Sequence, residues 1–222
     1  MQIQSGSSFI AHALLFDMDG TLVDSTAVVE RVWGRWAAKH GIDFSAYKHR
    51  IHGCRATDIM RLMAPTGIDH TKEVAQVDEE EVNETDGIVP VAGAAELIAA
   101  LPRQSWALVT SARPELARAR MGAAGLPMPD ILVTSNDVAQ GKPNPACYQL
   151  ALKRLGFLAE QAIVFEDAPA GLAAGRAAGC RTIALATSSP IASLAHEDWL
   201  HDLSGLKLNA IRPDGSLQLR LD

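Results

Sequence analysis

The sequence predicts an α/β fold: a doubly wound parallel sheet with a small all-helical cap subdomain inserted after its first strand. Two observations carry this prediction. From residue 88 onward apolar runs of strand length alternate with helical patterns, whereas residues 25–87 show helical periodicity alone. Strands that are apolar throughout are typical of a parallel sheet covered by helices on both faces. We therefore expect a core of residues 1–24 and 88–222, interrupted by a helical cap of residues 25–87.

The first strand is the apolar run that begins at Ala13, and two carboxylates, Asp17 and Asp19, follow it at once. Residues two apart on an extended chain point the same way, so both side chains could face one space at the carboxyl end of the strand. Like charges that close are costly unless a cation or a proton lies between them. A hard divalent ion such as Mg²⁺ suits oxygen ligands. Asp-Gly after an apolar run is also ordinary turn chemistry, so the stretch alone indicates a metal site or a turn equally well.

Helical periodicity within the inserted segment predicts three helices. They run over residues 25–40, over residues 57–65, and onward from about residue 72. The third carries an acidic run at residues 78–81, which we interpret as a solvated helix face, the commonest setting for such runs.

The remaining elements alternate between strand and helix. The apolar runs predict strands over residues 106–110, 131–134, 162–166 and 182–186, with helices over residues 93–101, 114–124, 144–155 and 169–178. At the end of the chain, alternating segments flank a Pro-Asp-Gly turn, which predicts a hairpin added at an edge with no role in chemistry.

The composition narrows the possible partners. The chain has 222 residues and a formal net charge of −6, so it has no basic field that would favour nucleic acid or an anionic membrane. No apolar run approaches the roughly 18 residues of a membrane helix, and residues 1–12 lack the features of a signal segment. We expect a cytoplasmic monomer. Cys54, Cys147 and Cys180 fit no metal-binding pattern, so we expect reduced thiols.

Four motifs, in order, resemble those of the haloacid dehalogenase superfamily, most of whose members are aspartate-nucleophile phosphatases. They are Asp17-x-Asp-Gly-Thr-Leu-x-Asp24, Val109-Thr-Ser111, Gly141-Lys-Pro-x-Pro145 and Val164-Phe-Glu-Asp-Ala-Pro-x-Gly171. The resemblance covers residues 12 to about 190. Because each motif follows a predicted strand closely, the four should converge at the carboxyl edge of the sheet.

The resemblance implies roles for the first motif. Asp17 would be the nucleophile that forms an aspartyl-phosphate, and Asp19 the general acid and base. The dehalogenase and phosphonate-cleaving branches lack an acid at the position of Asp19, so both are disfavoured. Thr21 would lie among the groups that contact the substrate.

The other motifs are expected to hold phosphate and metal. Ser111, with the backbone N–H of Ala112, would donate to a phosphoryl oxygen, and Lys142 would serve as a point charge for the phosphate and for Asp17. By resemblance Asp167 is a ligand of Mg²⁺ together with the two acids of the first motif, and Glu166 ligates through water. Glycines 171, 175 and 179 are interpreted as close-packing positions without chemistry.

The expected cap carries a polar loop, residues 52–58, which in caps of this type reaches over the active site. His52 and Arg55 are its candidates for contacts with substrate hydroxyls.

The predicted activity is Mg²⁺-dependent hydrolysis of a small phosphorylated metabolite. The first motif and the cap composition resemble the 2-deoxyglucose-6-phosphatase and glycerol-3-phosphatase group, so sugar phosphates are the expected substrates. The alternative is a β-phosphoglucomutase-like isomerase, which has a cap-side His about twelve residues beyond the nucleophile, where this chain has Val29. That departure favours the phosphatase. A non-enzymatic sugar-phosphate sensor is a third hypothesis, and the intact catalytic set argues against it.

Overall fold

The protein is described by a computed structural model that covers residues 1–51, 53–194 and 196–222. Its strands in chain order are Ser8–Ala11 (β1), Ala13–Phe16 (β2), Val23–Asp24 (β3), Val89–Pro90 (β4), Trp106–Val109 (β5), Ile131–Val133 (β6), Ala162–Glu166 (β7), Arg181–Leu185 (β8), Trp199–Leu200 (β9), Leu206–Ile211 (β10) and Leu217–Leu221 (β11). Its α-helices are Thr26–Lys39 (α1), Ala56–Met63 (α2), His70–Asn83 (α3), Ala94–Ala100 (α4), Pro114–Ala123 (α5), Ala146–Leu155 (α6) and Pro169–Ala177 (α7).

A six-stranded parallel sheet in the order β6-β5-β2-β7-β8-β9 forms the centre of the molecule. Every residue of β2, β5 and β7 is buried, as expected of parallel strands with both faces covered. Alternate side chains of these strands enter two separate apolar cores, one containing Leu14 and Phe16 and the other Ala13 and Leu15. The predicted doubly wound α/β fold is therefore confirmed.

The strand order reverses beside β2. Strands β5 and β6 lie on one side of it and β7 to β9 on the other, so the loops that leave the carboxyl ends of β2 and its neighbours diverge above the sheet. A crevice at such a switch point is where open α/β sheets bind ligands. The motifs selected from the sequence follow these central strands.

Helices α1, α2 and α3 lie in the chain between β3 and β4, which pair antiparallel with Val23 opposite Pro90 and Asp24 opposite Val89. The helical segment therefore begins and ends at adjacent points of a separate two-stranded sheet. Helix α3 begins two residues before the predicted position, because the side chain of Asp69 accepts hydrogen bonds from the N–H groups of Thr71 and Lys72. The boundaries of a cap subdomain, and its action as a cap, stay predictions.

The hairpin at the end of the chain is confirmed, but its expected place at an edge of the main sheet is wrong. Strands β10 and β11 join β1 in a separate three-stranded antiparallel sheet, and the main sheet ends instead at β9. Sequence reasoning missed β1, which has four residues, and β9, which has two. The alternation of buried Phe9 and Ala11 with exposed neighbours is the signal in β1.

The cysteines are free, with Cys54 exposed and Cys147 and Cys180 buried. Among the described helices, none has the length and apolar character needed to cross a membrane.

Gly93, which precedes α4, is a position where the backbone of a distant segment approaches closely. Its φ is +82°, and a Cβ placed on it would lie 2.2 Å from the carbonyl carbon of Leu203. Gly93→Ala is therefore expected to lower the free energy of unfolding by about 3 kcal/mol or more, through backbone strain and overpacking together. Gly125→Ala is the control, because Gly125 has a φ of +68° but no atom within 4 Å of the added Cβ. Urea unfolding of both variants measures the difference, and equal losses would show that the contact with Leu203 is unimportant.

Candidate active site at the carboxyl edge of the sheet

Five side chains from four parts of the chain meet where β2, β5 and β7 end. Asp17 follows β2, Ser111 follows β5, Lys142 precedes α6, and Glu166 and Asp167 lie at the end of β7. Four of them come within hydrogen-bonding or ligating distance of one another, and Ser111 lines the same cavity. The predicted convergence of the four motifs is thus seen in the structure.

The ammonium group of Lys142 is the centre of the site. Its Nζ lies 2.5 Å from Oδ1 of Asp17, 2.6 Å from Oε1 of Glu166 and 3.1 Å from the carbonyl oxygen of Val109, which accounts for all three donor hydrogens. The side chain is only 4% exposed. Burial alone would lower the pKa of Lys142, but the carboxylates of Asp17 and Glu166 outweigh it and raise that pKa well above its usual value.

Three buried carboxylates surround this lysine. Oxygen atoms of Asp17, Glu166 and Asp167 all lie within 4.8 Å of one another. Burial and the charge of Glu166 raise the pKa of Asp17 to about 7, although Lys142 opposes them, and the same two causes raise the pKa of Asp167 well above its usual value. Oδ2 of Asp17 is buried without a hydrogen-bond partner. One lysine therefore leaves excess negative charge, and a further cation would relieve it.

The carboxylate oxygens of Glu166 accept more hydrogen bonds from the protein than those of Asp17 do. Oε1 of Glu166 accepts hydrogen bonds from Lys142 and from the hydroxyl of Tyr148 at 3.0 Å. Oε2 accepts from the backbone N–H groups of Asp167 at 3.1 Å and Ala168 at 3.2 Å. Both oxygens of Glu166 are therefore already hydrogen-bonded within the protein.

Asp167 is held mainly by hydroxyl groups. Thr21 Oγ1 lies 3.4 Å from its Oδ1, and Ser188 donates to its Oδ2. Thr21, a predicted substrate contact, is buried and faces this carboxylate. Ser188 was not identified from the sequence, because it follows β8 outside the four motifs.

The carboxylates of Asp167 and Glu166 each lie against a glycine, where a larger residue would leave no room for them. A Cβ on Gly20, whose φ is +78°, would lie 2.2 Å from Oδ2 of Asp167. A Cβ on Gly171 would lie 1.6 Å from Oε1 of Glu166. Gly171 was interpreted as a packing position without chemistry, and the structure places it directly against a carboxylate of the site.

Asp19 lies apart from the cluster of Asp17, Glu166 and Asp167. Its Oδ1 accepts a hydrogen bond from Ser25 Oγ at 2.6 Å and lies 2.8 Å from a terminal nitrogen of Arg120. The alternation of side chains expected of an extended strand does not continue to Asp19, because β2 ends at Phe16. After it the chain turns, and the N–H groups of Leu22 and Val23 donate to the carbonyl oxygen of Met18. The structure therefore brings Asp17 and Asp167 together as predicted metal ligands but does not bring in the carboxylate of Asp19.

A cavity of about 540 Å³ lies between the helical segment and the carboxyl edge of the sheet. Asp17, Asp19, Ser111 and Ala112 line it from the sheet side. The N–H of Ala112, expected to donate to phosphate, donates instead to Thr110 Oγ1 at 3.0 Å.

Arg55 spans from the start of α2 to the loop that precedes Lys142. Its terminal nitrogens lie 3.1 Å from the carbonyl oxygen of Val138 and 3.4 Å from that of Ala139. Gly141 packs beneath it, since a Cβ there would lie 2.6 Å from Nε of Arg55. Arg55 lines the cavity but bonds to the backbone of the core. The other cap candidate, His52, lies outside the described residues.

The acidic run of α3 is not a solvated face throughout, and that interpretation is wrong for two of its four members. Asp78 and Glu81 are buried against α5, where Asp78 pairs with Arg113 at 3.0 Å and Glu81 with Arg120 at 3.0 Å. Sequence reasoning missed both arginines. The available signal in the sequence was spacing. The two acids are three residues apart and the two arginines are seven apart, so the two acids lie on one helix face and the two arginines on another.

Comparisons with known proteins agree with this fold. The solved structure of CbbY from Rhodobacter sphaeroides in complex with phosphate has a TM-score of 0.76 and 25% identity, covering 87% of this chain and 95% of that one. Hexitol phosphatase A of Escherichia coli is 39% identical over 208 residues, 91% of this chain and 96% of that protein. Glycerol-1-phosphate phosphohydrolase 1 of Saccharomyces cerevisiae is 36% identical over 197 residues, which are 80% of this chain and 75% of that protein.

The fold and the buried acid–lysine cluster thus define a doubly wound α/β enzyme with its site at the switch point of the sheet. The family model that matches residues 11–179 is that of the haloacid dehalogenase-like hydrolases, and the chain belongs to that family.

Removing the carboxylate of Asp17 should change how the stability of the metal-free protein depends on pH. Burial raises the pKa of Asp17 from 3.8 to about 7, so between these values the folded state holds a proton that the unfolded state has released. The stabilisation from this proton is complete below pH 3.8 and is lost as the pH rises to about 7. The slope is at most about 1.4 kcal/mol per pH unit.

Denaturant unfolding in chelator, measured across this pH range, should show a steeper fall in the free energy of unfolding for wild type than for Asp17→Asn. The exposed hairpin residue Asp214 provides a control, because Asp214→Asn leaves the cluster intact. Parallel pH curves for wild type and Asp17→Asn would contradict the raised pKa.

Proposed function

We propose that this hydrolase is a Mg²⁺-dependent phosphatase that removes phosphate from small sugar or polyol phosphates through an aspartyl-phosphate on Asp17. The observation that carries the proposal is the buried Asp17, held by Lys142 beside two further carboxylates and open to a cavity. The relatives named as hexitol phosphatase and glycerol-1-phosphate phosphohydrolase support this substrate class.

Asp17 would act as the nucleophile. Lys142 binds its Oδ1 and favours the ionised form that attack requires, whereas Oδ2 has no protein partner and remains available. Attack on phosphorus forms an acyl-phosphate bond and breaks the ester bond to the sugar oxygen. Water then cleaves the acyl-phosphate, which releases inorganic phosphate and restores the carboxylate.

Asp19 would transfer the protons. It lines the cavity but lies outside the carboxylate cluster, so it can serve the leaving oxygen rather than the phosphoryl group. In the first step it donates a proton to the sugar oxygen, and in the second it accepts one from the attacking water. Ser111, at the end of β5 on the same cavity, is positioned to donate to a phosphoryl oxygen.

The donor set fits Mg²⁺. Asp17 and Asp167 would hold it, with Glu166 close by, because these are oxygen ligands in a buried site with excess negative charge. When bound, Mg²⁺ supplies positive charge that balances the phosphoryl oxygens. Lys142 supplies the complementary charge from the protein side.

Hydrolysis is favoured over the isomerase alternative by Val29, which lines the cavity on α1 and is 8% exposed. A valine there cannot exchange a proton, and the relatives compared above are named as phosphatases.

Asp17→Asn is expected to abolish turnover while the fold persists, because an amide matches the carboxylate in size but not in charge or nucleophilicity. Phosphate release from glycerol 1-phosphate and from a hexitol phosphate measures the effect, and mass spectrometry checks that the asparagine has not deamidated. Asp214→Asn should retain wild-type rates. If Asp17→Asn kept more than a small fraction of the wild-type activity, Asp17 would not be the nucleophile. If the wild-type protein bound these phosphate esters without hydrolysing them, the result would favour the non-enzymatic sugar-phosphate sensor.

Chelation is expected to remove the activity, and added Mg²⁺ to restore it, because Asp17 and Asp167 cannot both approach a phosphate without a cation between them. The protein is dialysed against chelator, assayed, and then titrated with Mg²⁺. A thermal melt at each step confirms that the fold survives. Full activity after exhaustive chelation would disprove the metal requirement.

A further inference from the structure

A buried ion triad connects Asp19 to the helical segment. One terminal nitrogen of Arg120, on α5, lies 2.8 Å from Oδ1 of Asp19, and the other lies 3.0 Å from Oε1 of Glu81, on α3. The side chain of Arg120 is 5% exposed and that of Glu81 is 6% exposed. A single guanidinium group therefore joins the loop after β2 to helix α3.

Burying such a triad is costly, since charges withdrawn from water rarely recover their full solvation. Here the recovery is incomplete, because Nε of Arg120 is buried without a hydrogen-bond partner. Stability alone is thus a poor explanation for Arg120, and its geometry points to positioning.

The contacts of Asp19 are confined to one oxygen. Oδ1 accepts from Ser25 at 2.6 Å and from Arg120, while no described residue donates to Oδ2. Two donors on one atom restrict rotation of the carboxylate. Oδ2 is therefore the atom left for proton exchange, and the side chain of Asp19 is 21% exposed on the cavity.

We propose that Arg120 is a positioning residue for proton transfer: held by Glu81 of α3, it fixes Asp19 so that Oδ2 serves the leaving oxygen. The orientation of the acid then depends on the contact between Arg120 and Glu81, and not on the other contacts between α3 and α5. This inference rests on the proposed function, in which Asp19 is the general acid and base.

A second ion pair between the same two helices provides a matched control. Arg113, the residue that precedes α5, and Asp78 of α3 lie 3.0 Å apart, and the contacts of this pair do not include Asp19. Both pairs join α3 to α5, but only the pair of Arg120 and Glu81 also holds the acid. A variant at Asp78 therefore tests docking alone.

The experiment compares two esters whose leaving groups differ in their need for a proton. Glycerol 1-phosphate expels an alkoxide, which needs proton donation from Asp19, whereas p-nitrophenyl phosphate expels a stable phenolate, which does not. Steady-state kcat is measured on the first ester, and the rapid-mixing burst of nitrophenolate on the second. Wild type, Arg120→Lys, Glu81→Gln and Asp78→Asn are assayed with Mg²⁺, and a thermal melt of each checks the fold.

Arg120→Lys should lower kcat on glycerol 1-phosphate roughly tenfold to a hundredfold, because lysine lacks the planar fork whose two terminal nitrogens reach Asp19 and Glu81, and a misplaced acid costs that much. The nitrophenolate burst rate should change by less than about threefold, because that step needs no acid. Glu81→Gln should shift the ratio of the two rates in the same direction by a smaller factor. This variant keeps Arg120 and serves as the test if Arg120→Lys does not fold. Asp78→Asn should leave the ratio at the wild-type value.

Equal losses on both esters in Arg120→Lys, or an unchanged ratio in both Arg120→Lys and Glu81→Gln, would overturn the positioning role. A shift of the ratio in Asp78→Asn as large as in Glu81→Gln would mean that docking alone matters, and would overturn it too. Wild-type protein that hydrolyses neither ester would instead overturn the proposed function, on which the inference rests.

Discussion

The site depends on one buried charge, the ammonium group of Lys142, which lies between Asp17 and Glu166 at the carboxyl edge of the apolar sheet. This ammonium group offsets the negative charge of two adjacent buried carboxylates, which matters because the desolvation of an unpaired charge costs several kcal/mol. The cation in turn needs three acceptors, and the carbonyl oxygen of Val109 at the end of β5 is the third. The central strands, β2, β5 and β7, are therefore each tied to the same nitrogen atom.

The helical segment shares one apolar core with the sheet, and polar contacts attach it as well. Arg55 reaches the loop before Lys142, and two ion pairs join α3 to α5. These contacts surround the cavity, so the groups that would select a substrate also hold the helices over the sheet. Arg55, expected to contact substrate hydroxyls, is bonded to core carbonyl groups. Any contact it makes with substrate must compete with those bonds.

Much of the fold and of the central site follows from local sequence. Apolar runs place the central strands because buried parallel strands need no polar face. Polar motifs directly after those runs must then gather at one edge, since parallel strands all end on the same side. The cluster of Asp17 and Asp167, with Lys142 and Glu166 beside it, is accordingly predictable, and the structure brings these four together. Their roles in catalysis stay proposals.

The sequence by itself therefore determined the strand and helix pattern, the parallel sheet and the residues at its carboxyl edge, because each depends on periodicity or on position after a strand. Only the tertiary structure decided which groups the carboxylate of Asp19 contacts and which acids of α3 are buried. The turn after Phe16 breaks the alternation that places Asp17. Asp78 and Glu81 have the local pattern of a solvated face, and only the arginines of α5, more than 30 positions away in the chain, make their burial possible. The spacing within each segment shows which side chains share a helix face, but it does not show which distant segment packs against that face.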